Sequence, residues 1–362
     1  MPKKSLEAEN HRAYKMNYKG VKEAPKILLI YTGGTIGMVQ DYVTGQLKAF
    51  DFGKLLEQIP ELYQLECEIE TISFPNPIDS SDMNTGHWKL LAELIGKHYS
   101  SYNGFVVLHG SDTMSYTASA MSFLLENLSK PIVFTGSQLP IGDLRTDAKE
   151  NLITSVQIAA LKQEGRPVVR EVCLYFENKL YRANRTTKMS SEQFQAFDSP
   201  NYPTLGISGV HLRIKQEYLW RSEPHKKLRL HTDLDNRIGL LKLFPGIHPS
   251  WVQGLLGNPE MKAVVLESYG AGNASTETWF IEELQQAVDK GLHIVNVTQC
   301  PGGSVLMGKY ATSAALAEMG IIDGKDITTE AALTKLMYML GRDVSSKSFK
   351  TIFETSLRGE MT

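Results

Sequence analysis

The sequence lacks the features of secreted, membrane and zinc-binding proteins. Its 362 residues include only three cysteines, which lie far apart, so neither a disulfide framework nor a CxxC metal site is indicated. No apolar run approaches the ~20 residues that a membrane-spanning helix requires. Because no apolar segment of the secretory type precedes Lys26, we expect a cytoplasmic protein.

An excess of charge of one sign is also lacking. Lys and Arg total 38 and Asp and Glu total 40, so the formal net charge is −2. A chain so close to neutral has no electrostatic attraction to nucleic acid or to an anionic membrane, and we predict neither as a partner. Apolar residues form 42% of the chain, which is enough for a hydrophobic core, and the length favours two domains.

Common cofactor and metal motifs are missing as well. The glycines at 33–37 have the spacing GGxxG rather than the GxGxxG of dinucleotide-binding loops. There is no GxxxxGK[ST] phosphate-binding loop, no HExxH and no GxSxG. The nine histidines form no ligand-spaced pair beside a carboxylate. The sequence therefore predicts neither a cofactor nor a metal.

What is present is a recurring unit, in which a short apolar run ends in Gly, Thr, Ser or Asp and an amphipathic helical pattern usually follows. Continuous apolar runs are typical of strands that are buried on both faces of a sheet. Their alternation with helices predicts an α/β fold with a doubly wound, mostly parallel sheet. The runs occupy 26–31, 104–108, 131–134, 172–176, 238–244, 263–266 and 293–297.

The recurring unit lapses between about Ser199 and Asn236, where prolines, charges and short apolar pieces alternate. We therefore predict two α/β domains, of which the larger, N-terminal one contains the doubly wound sheet. The predicted bounds are an N-terminal extension at 1–25, the N-terminal catalytic domain at 26–204, a linker at 205–236 and the smaller C-terminal α/β domain at 237–362.

Candidate catalytic groups are concentrated at strand ends, which is where open parallel sheets bind their ligands. Ordinary helix capping explains Ser111 or Asp112 singly, but it does not explain hydroxyls after three separate strands. The polar residues at these ends are Thr32, Thr35, Ser111, Asp112, Thr113, Thr135 and Ser137, together with the segment 78–82.

A hydroxyl nucleophile needs a group that accepts its proton. His109 precedes a glycine at a buried strand end, which favours a packed, hydrogen-bonded histidine over a catalytic one. The alternative is a lysine oriented by a carboxylate such as Asp112, and Lys188, Lys179 and Lys149 all remain candidates for it.

Several motifs in the same order resemble those of bacterial L-asparaginases, most closely the cytoplasmic type I enzymes. The two signatures of that family are matched by Tyr31–Gly37 and His109–Met114, and the resemblance extends from about Lys26 to the C-terminus. Further matching segments are Asp79–Asn84, Thr135–Gln138, Asn184–Lys188, Ser268–Asn273 and Leu357–Glu360.

The resemblance implies an amidohydrolase of asparagine catabolism, which converts L-asparagine to L-aspartate and ammonia without a cofactor. It also implies a homodimer or homotetramer, with the active site between the N-terminal domain and a neighbouring subunit. By position, Thr35 is the threonine nucleophile, and Ser111, Asp112 and Lys188 serve proton transfer and activation of the second hydroxyl or of water. The matched substrate-binding residues are Asp79, Ser80, Ser81, Ser137, Asn273 and Tyr42.

Three departures from the family pattern have consequences. Ser111 replaces the usual threonine, and we expect activity to be kept because the hydroxyl remains. Glu267 stands where an allosteric relative has an arginine that binds the carboxylate of a regulatory asparagine, so we expect non-cooperative kinetics. Tyr42 lies in a loop, 41–45, whose length differs from that of the family. The rest of the allosteric pocket is matched by Thr298, Gln299 and Cys300.

Two other functions are compatible with the same motifs. An asparaginase-like subunit of a tRNA-dependent amidotransferase is expected to carry a substantial additional N-terminal domain, whereas only about 25 residues precede the first strand here. A non-enzymatic amino-acid sensor would bind asparagine without turnover and would need no nucleophile such as Thr35. Glutamine as a second substrate stays open, since one methylene changes binding by only ~1–3 kcal/mol.

Overall fold

A computed structural model describes residues 24–40, 47–49, 59–221, 226–308 and 311–362. The chain forms two compact units. The first comprises the residues up to Asp198 together with Pro203–Leu230, and the second comprises Ser199–Tyr202 together with His231–Thr362. Within the described ranges, no helix is both long enough and apolar enough to cross a bilayer.

Within the described residues, the first unit contains sixteen strands and three α-helices. The helices are α1 (Thr85–His98), α2 (Met114–Leu124) and α3 (Ala148–Ala160). The strands are β1 (Lys26–Gly33), β2 (Met38–Gln40), β3 (Leu47–Ala49), β4 (Glu68–Ile78), β5 (Gly104–Leu108), β6 (Leu125–Glu126), β7 (Ile132–Thr135), β8 (Lys162–Gln163), β9 (Arg166–Pro167), β10 (Val172–Phe176), β11 (Lys179–Arg182), β12 (Thr187–Lys188), β13 (Phe197–Asp198), β14 (Gly206–Ser208), β15 (Leu212–Ile214) and β16 (Arg229–Leu230).

An eight-stranded sheet forms the centre of this unit, in the order β15-β14-β11-β10-β7-β5-β1-β4. The five strands from β10 to β4 pair in parallel, and β11, β14 and β15 extend the sheet in antiparallel fashion. Every residue of β5, β7 and β10 is buried, because helices pack against these strands. The predicted α/β fold with a mostly parallel sheet is confirmed.

The second unit is a smaller α/β unit. Its strands β17 (Ile238–Lys242), β18 (Ala263–Ser268), β19 (His293–Thr298) and β20 (Ile322–Asp323) form a parallel sheet in that order. Its hydrophobic core includes Leu241, Leu266, Phe280 and Leu284, all without accessible surface. Its helices are α4 (Pro249–Leu256), α5 (Thr278–Asp289), α6 (Ala311–Glu318), α7 (Thr329–Gly341) and α8 (Ser346–Phe353).

The segment 205–236, which the sequence predicts to be a linker, contains regular structure. Strands β14 and β15 lie in it and continue the large sheet beyond β11, and β16 pairs with β6. Conversely, Asn201 hydrogen-bonds within the second unit, where its side chain donates to the carbonyls of Gly303 and Asp326. Short edge strands among prolines and charges lack the long apolar run that identifies a buried strand, which explains the difference.

Candidate active site

Glycines bring the carboxyl ends of β1, β4 and β5 into direct contact. Gly33 and Gly34 have φ values of 137° and 92°, which are unfavourable for any residue with a side chain. A Cβ atom on Gly34 would lie 2.5 Å from the Cα atom of Gly110, and one on Gly110 would lie 2.5 Å from the Oγ atom of Ser80. The loops that carry Thr35 and Ser111 are therefore packed backbone to backbone, and the Ser80 side chain lies against Gly110.

Lys188 connects the second hydroxyl to the carboxylate. Its Nζ atom lies 2.8 Å from the Oγ atom of Ser111 and 2.7 Å from Oδ1 of Asp112. The Lys188 side chain is 17% exposed, whereas that of Asp112 is 66% exposed and faces solvent. Of the three lysines that the sequence left open, Lys188 is the one that the structure places beside Asp112. A hydroxyl, an amine and a carboxylate in contact can move a proton among themselves.

Lys188 is positioned by the strand and turn around it. It pairs with Phe197 between β12 and β13, directly after the 3-10 turn Ala183–Arg185. The hydroxyl of Thr186 lies 3.0 Å from that of Ser115 at the start of α2. These contacts hold Lys188 to the helix that follows Ser111 and Asp112.

Thr35 begins a 3-10 turn, Thr35–Gly37, immediately after β1. The turn rests on the ring of Tyr31, which is fully buried and leaves no room for a side chain at Gly37. The Tyr31 hydroxyl donates to the carbonyl of Gly34 at 3.3 Å. Burial raises the pKa of Tyr31 to about 12, so this donor keeps its proton at neutral pH. Tyr31 therefore supports the backbone that presents the half-buried Thr35.

Asp79 and Ser81 shape the loop after β4. The carboxylate of Asp79 caps the 3-10 turn Ser80–Asp82, accepting from the backbone N–H and the hydroxyl of Ser81 at 2.9 Å each. These two donors, the backbone one first, hold the pKa of Asp79 below its usual value. The carbonyl of the buried Ser80 accepts from Thr113 at 2.7 Å, which ties this loop to the loop after β5.

Ser137 and Gln138 follow β7. The Ser137 hydroxyl donates to the carbonyl of Leu139 at 2.6 Å, so its hydrogen is used within its own loop. The neighbouring Gln138 instead contacts the site, because its Oε1 atom accepts from the Ser111 hydroxyl at 3.3 Å. Its Nε2 atom donates to the carbonyl of Gln193 at 3.0 Å. Sequence reasoning assigned no role to Gln138 or to Tyr31, although both lie in motifs that it had identified.

His109 is a packed histidine, as its position in the sequence indicates. It is 1% exposed, and its Nδ1 atom lies 2.7 Å from the carbonyl oxygen of Gly110. Burial lowers the pKa of His109 to about 4, which keeps the ring neutral. A neutral ring donates from Nδ1 to Gly110 and so orients the peptide that leads into Ser111.

Two matched positions lie elsewhere. Asn273 belongs to the second unit, in the turn after β18, where its carbonyl accepts from the backbone N–H of Tyr269 at 2.8 Å. Tyr42 lies outside the described residues. Among the described residues, no group of three or more His, Cys, Asp or Glu side chains is placed to share a metal ion.

The residues matched to an allosteric pocket are also in the second unit. Glu267 pairs with Lys242 at 3.2 Å and accepts from the hydroxyl of Thr329 at 2.6 Å. The Gln299 side chain donates to the carbonyls of Leu243 and Glu267 at 2.6 and 2.8 Å. The carboxylate of Glu267 thus already has a cation and a hydroxyl as partners. The other two residues matched to the allosteric pocket are Thr298 and Cys300. The Thr298 hydroxyl donates to the Gly270 carbonyl, and Cys300 is exposed.

Comparison with known proteins assigns the chain to a family. The N-terminal asparaginase model matches residues 26–220, and the glutaminase/asparaginase C-terminal domain matches residues 237–353. L-asparaginase 1 of Escherichia coli is 44% identical over 93% of this chain and 98% of its own length. The solved structure of L-asparaginase I from Vibrio cholerae is 38% identical with a TM-score of 0.85, over 94% of this chain and all of that one.

A more distant similarity bears on one of the two rival functions. One chain of the glutamyl-tRNA(Gln) amidotransferase from Pyrococcus furiosus is 31% identical over 96% of this chain and 80% of its own length. This identity is lower than that to either asparaginase, so the comparisons favour the asparaginases over the amidotransferase component.

Proposed function

The chain belongs to the asparaginase family, and we propose on this premise that it hydrolyses the side-chain amide of L-asparagine to L-aspartate and ammonia. The observation that carries the proposal is the contact of Lys188 with both Ser111 and Asp112, beside the turn that begins at Thr35. Binding of asparagine requires no such proton-transfer group, whereas cleavage of an amide does.

Thr35 is the proposed nucleophile. Its Oγ atom attacks the amide carbon of asparagine and loses its proton to the group formed by Ser111 and Lys188. That proton is returned to the amide nitrogen, the C–N bond breaks, and ammonia leaves an ester on Thr35. Water then attacks the ester by the same proton route and releases aspartate. Backbone N–H groups of the loops after β1 and β5 are the candidates for stabilising the oxyanion.

Substrate specificity is proposed to come from the polar loops around this centre. The α-ammonium group is attracted by the carboxylates of Asp79 and Asp112, of which Asp112 is largely exposed. Ser80 and Ser81 are proposed to bind the α-carboxylate. Ser137 and Tyr42 are proposed as further lining residues, and Gln138 joins them because it contacts Ser111.

We further propose that the enzyme works in the cytoplasm as a homodimer or homotetramer. In this arrangement Asn273 of one protomer serves the active site of its neighbour. The assignment of Asn273 rests on the family motif that it matches, and the placement of this residue in the second unit is compatible with it. Analytical ultracentrifugation tests the proposal, since a monomer with full activity would contradict it.

The direct test is ammonia release by the purified chain without tRNA. We expect asparagine to yield ammonia and aspartate in equal amounts, and glutamine to be cleaved more slowly because its amide lies one methylene further from the α-carbon. Asparagine that binds without ammonia release would establish the sensor instead. Ammonia that appears only when charged tRNA and a partner protein are added would establish the amidotransferase component.

A further inference from the structure

A cleft lined by polar and apolar side chains lies at the amino ends of the parallel strands of the large sheet, whereas Thr35 and Ser111 follow their carboxyl ends. It is formed by the β8–β9 hairpin, the approach to β10 and the segment 216–221, and it encloses about 660 Å³. Because β10 runs parallel to β1, β5 and β7, the residues just before it lie at the amino ends of these strands. The proposed catalytic hydroxyls follow the carboxyl ends. The cleft is thus a separate site of a size that is typical for small-molecule binding.

The cleft contains three arginines whose charge is not neutralised by an ion pair. Arg166, Arg170 and Arg221 line it together with Glu164 and Glu217, and none of the five pairs with an opposite charge among the described residues. Arg170 is held in place because its Nε atom donates to the carbonyl of Pro167 at 3.0 Å. Guanidinium groups bind phosphate and carboxylate oxygens in pairs, so three of them in one cleft favour an anion with several oxygens.

Trp220 lines the cleft, and contacts within the protein hold both its backbone and one side of its ring. The backbone N–H of Trp220 donates to Oε1 of Glu171 at 2.6 Å, and Arg182 donates to Oε2 of the same carboxylate at 2.7 Å. The Arg182 guanidinium carbon lies over the Trp220 ring, 5.7 Å from its centre. Glu171 and Arg182 are only 6% and 5% exposed, so this support is an ion pair shielded from solvent. Preorganisation of this kind lowers the entropic cost of binding a flat ring.

The two sides of the cleft are also joined to each other. Gln216, on the segment before Trp220, donates to the side-chain oxygen of Gln163 on β8 at 2.7 Å. The β8–β9 turn at Glu164 and Gly165 has φ values of 52° and 74°, as expected for a two-residue hairpin turn. The opening therefore does not depend on movement of the hairpin.

We propose that this cleft binds a nucleoside phosphate. The base stacks on Trp220, and the phosphate oxygens accept hydrogen bonds from Arg166, Arg170 and Arg221. A bare phosphate would leave the ring face opposite Arg182 uncovered and most of the volume unfilled, whereas an uncharged nucleoside would leave the three arginines without an anion. None of the groups proposed to cleave asparagine lines this cleft, so binding here is independent of the proposed hydrolysis.

Isothermal titration calorimetry of the full chain with adenosine monophosphate tests the proposal. We expect saturable binding of one equivalent, at least about tenfold tighter than that of inorganic phosphate or of adenosine measured in parallel. The double variant Arg166→Gln/Arg170→Gln should weaken binding about tenfold or more, and Trp220→Leu should bring the affinity towards that of phosphate. The matched control is Arg213→Gln, which changes an exposed arginine on β15 outside the cleft and should bind like the parent.

Asparagine hydrolysis by each variant serves as a check of folding and should stay at the parental rate. The proposal is overturned if adenosine monophosphate shows no saturable heat of binding up to about 10 mM. This concentration lies far above the dissociation constants of specific complexes. The proposal is equally overturned if inorganic phosphate binds as tightly as the nucleotide, or if the double arginine variant binds like the parent.

Discussion

Both units of the chain contain parallel strands that end in polar loops, but the polar groups at these ends are satisfied differently. In the first unit, Lys188 contacts Ser111 and Asp112, and the Asp112 carboxylate is largely exposed and can meet a substrate. In the second, the Glu267 carboxylate is almost buried and is occupied by Lys242 and Thr329. The same strand-end geometry therefore leaves a carboxylate open to a ligand at Asp112 but not at Glu267.

Two lysines make the contrast concrete. Lys188 is partly exposed in the proposed active site, whereas Lys335 on α7 has no accessible side-chain surface. Lys335 pairs with the buried Glu360 and donates to the carbonyls of Phe353 and Thr355 at 2.6 and 2.7 Å. Burial alone would raise the pKa of Glu360, but Lys335 and two backbone N–H groups outweigh it and lower the pKa. Lys335 thus anchors the C-terminal residues.

The largest expected effect is on activity, from Lys188→Met. Methionine fills a similar volume but cannot carry a proton, so we expect kcat for asparagine to fall by about 10²–10⁴-fold. Ammonia release measures this change. Urea unfolding should remain near the parental midpoint, because the Lys188–Asp112 pair is open to solvent on the Asp112 side and such pairs contribute little. If this variant kept the parental kcat, Lys188 would not take part in the proposed proton transfer.

Lys335→Met should give the converse result, a loss of stability with little direct effect on chemistry. Removing the cation leaves Glu360 buried without its partner, which typically costs about 3–5 kcal/mol in the free energy of unfolding. Urea unfolding measures it. The control is the double variant Lys335→Met/Glu360→Met, which should recover most of the loss because no unpaired charge remains. An equally unstable double variant would show that lost packing or the backbone groups left without Lys335 and Glu360, rather than an unpaired charge, are the cause.

His109 should make stability depend on pH in the first unit. Its pKa is about 4 in the folded chain against an ordinary 6.5, so the unfolded chain binds the proton first as pH falls. The stabilisation is complete above pH 6.5 and declines towards pH 4, by roughly 3 kcal/mol at most. His109→Gln should flatten the dependence in urea unfolding at pH 7 and 4.5. The control His211→Gln, at an exposed histidine, should leave the pH dependence of stability unchanged. If His109→Gln kept the parental pH dependence, His109 would not be its source.

The smallest expected effect is that of replacing Glu267, whose carboxylate is already bound by Lys242 and Thr329. A negative carboxylate in a matched effector pocket repels the carboxylate of asparagine, so initial rates should follow a hyperbola over a wide asparagine range. Glu267→Gln should leave the shape of that curve unchanged, because glutamine removes the repulsion but supplies no cation to bind the effector's carboxylate. A sigmoidal curve for the parent protein would show that regulation persists despite Glu267.

The sequence was sufficient to locate β1, β5, β7, β10, β17, β18 and β19, because glycine turns after apolar runs leave a clear pattern. It did not predict β4, β11 or β20, nor the order of the strands in the sheets. It could not separate Lys188 from Lys179 or Lys149, since a lysine acquires its role only when folding brings it to Ser111, 77 positions away. The family resemblance made that choice; the structure places Lys188 beside Asp112, and its catalytic role stays a prediction.

Contacts between residues that are far apart in the sequence were also hidden from sequence reasoning. Gln138 reaches Ser111 across 27 positions, and Thr329 reaches Glu267 across 62. Tyr31 was recognised only as part of a signature, although its ring carries the turn at Thr35. The edge strands β14 and β15 were missed because three-residue strands leave no periodic signal.

The most direct test of the account is the threonine hydroxyl itself. Thr35→Val keeps the shape of the side chain and removes the nucleophile, so we predict that ammonia release from asparagine falls by about 10³-fold or more while the urea midpoint stays at the parental value. Thr351→Val, at an exposed threonine of α8, is the matched control and should be fully active. Near-parental ammonia release by Thr35→Val would contradict the account.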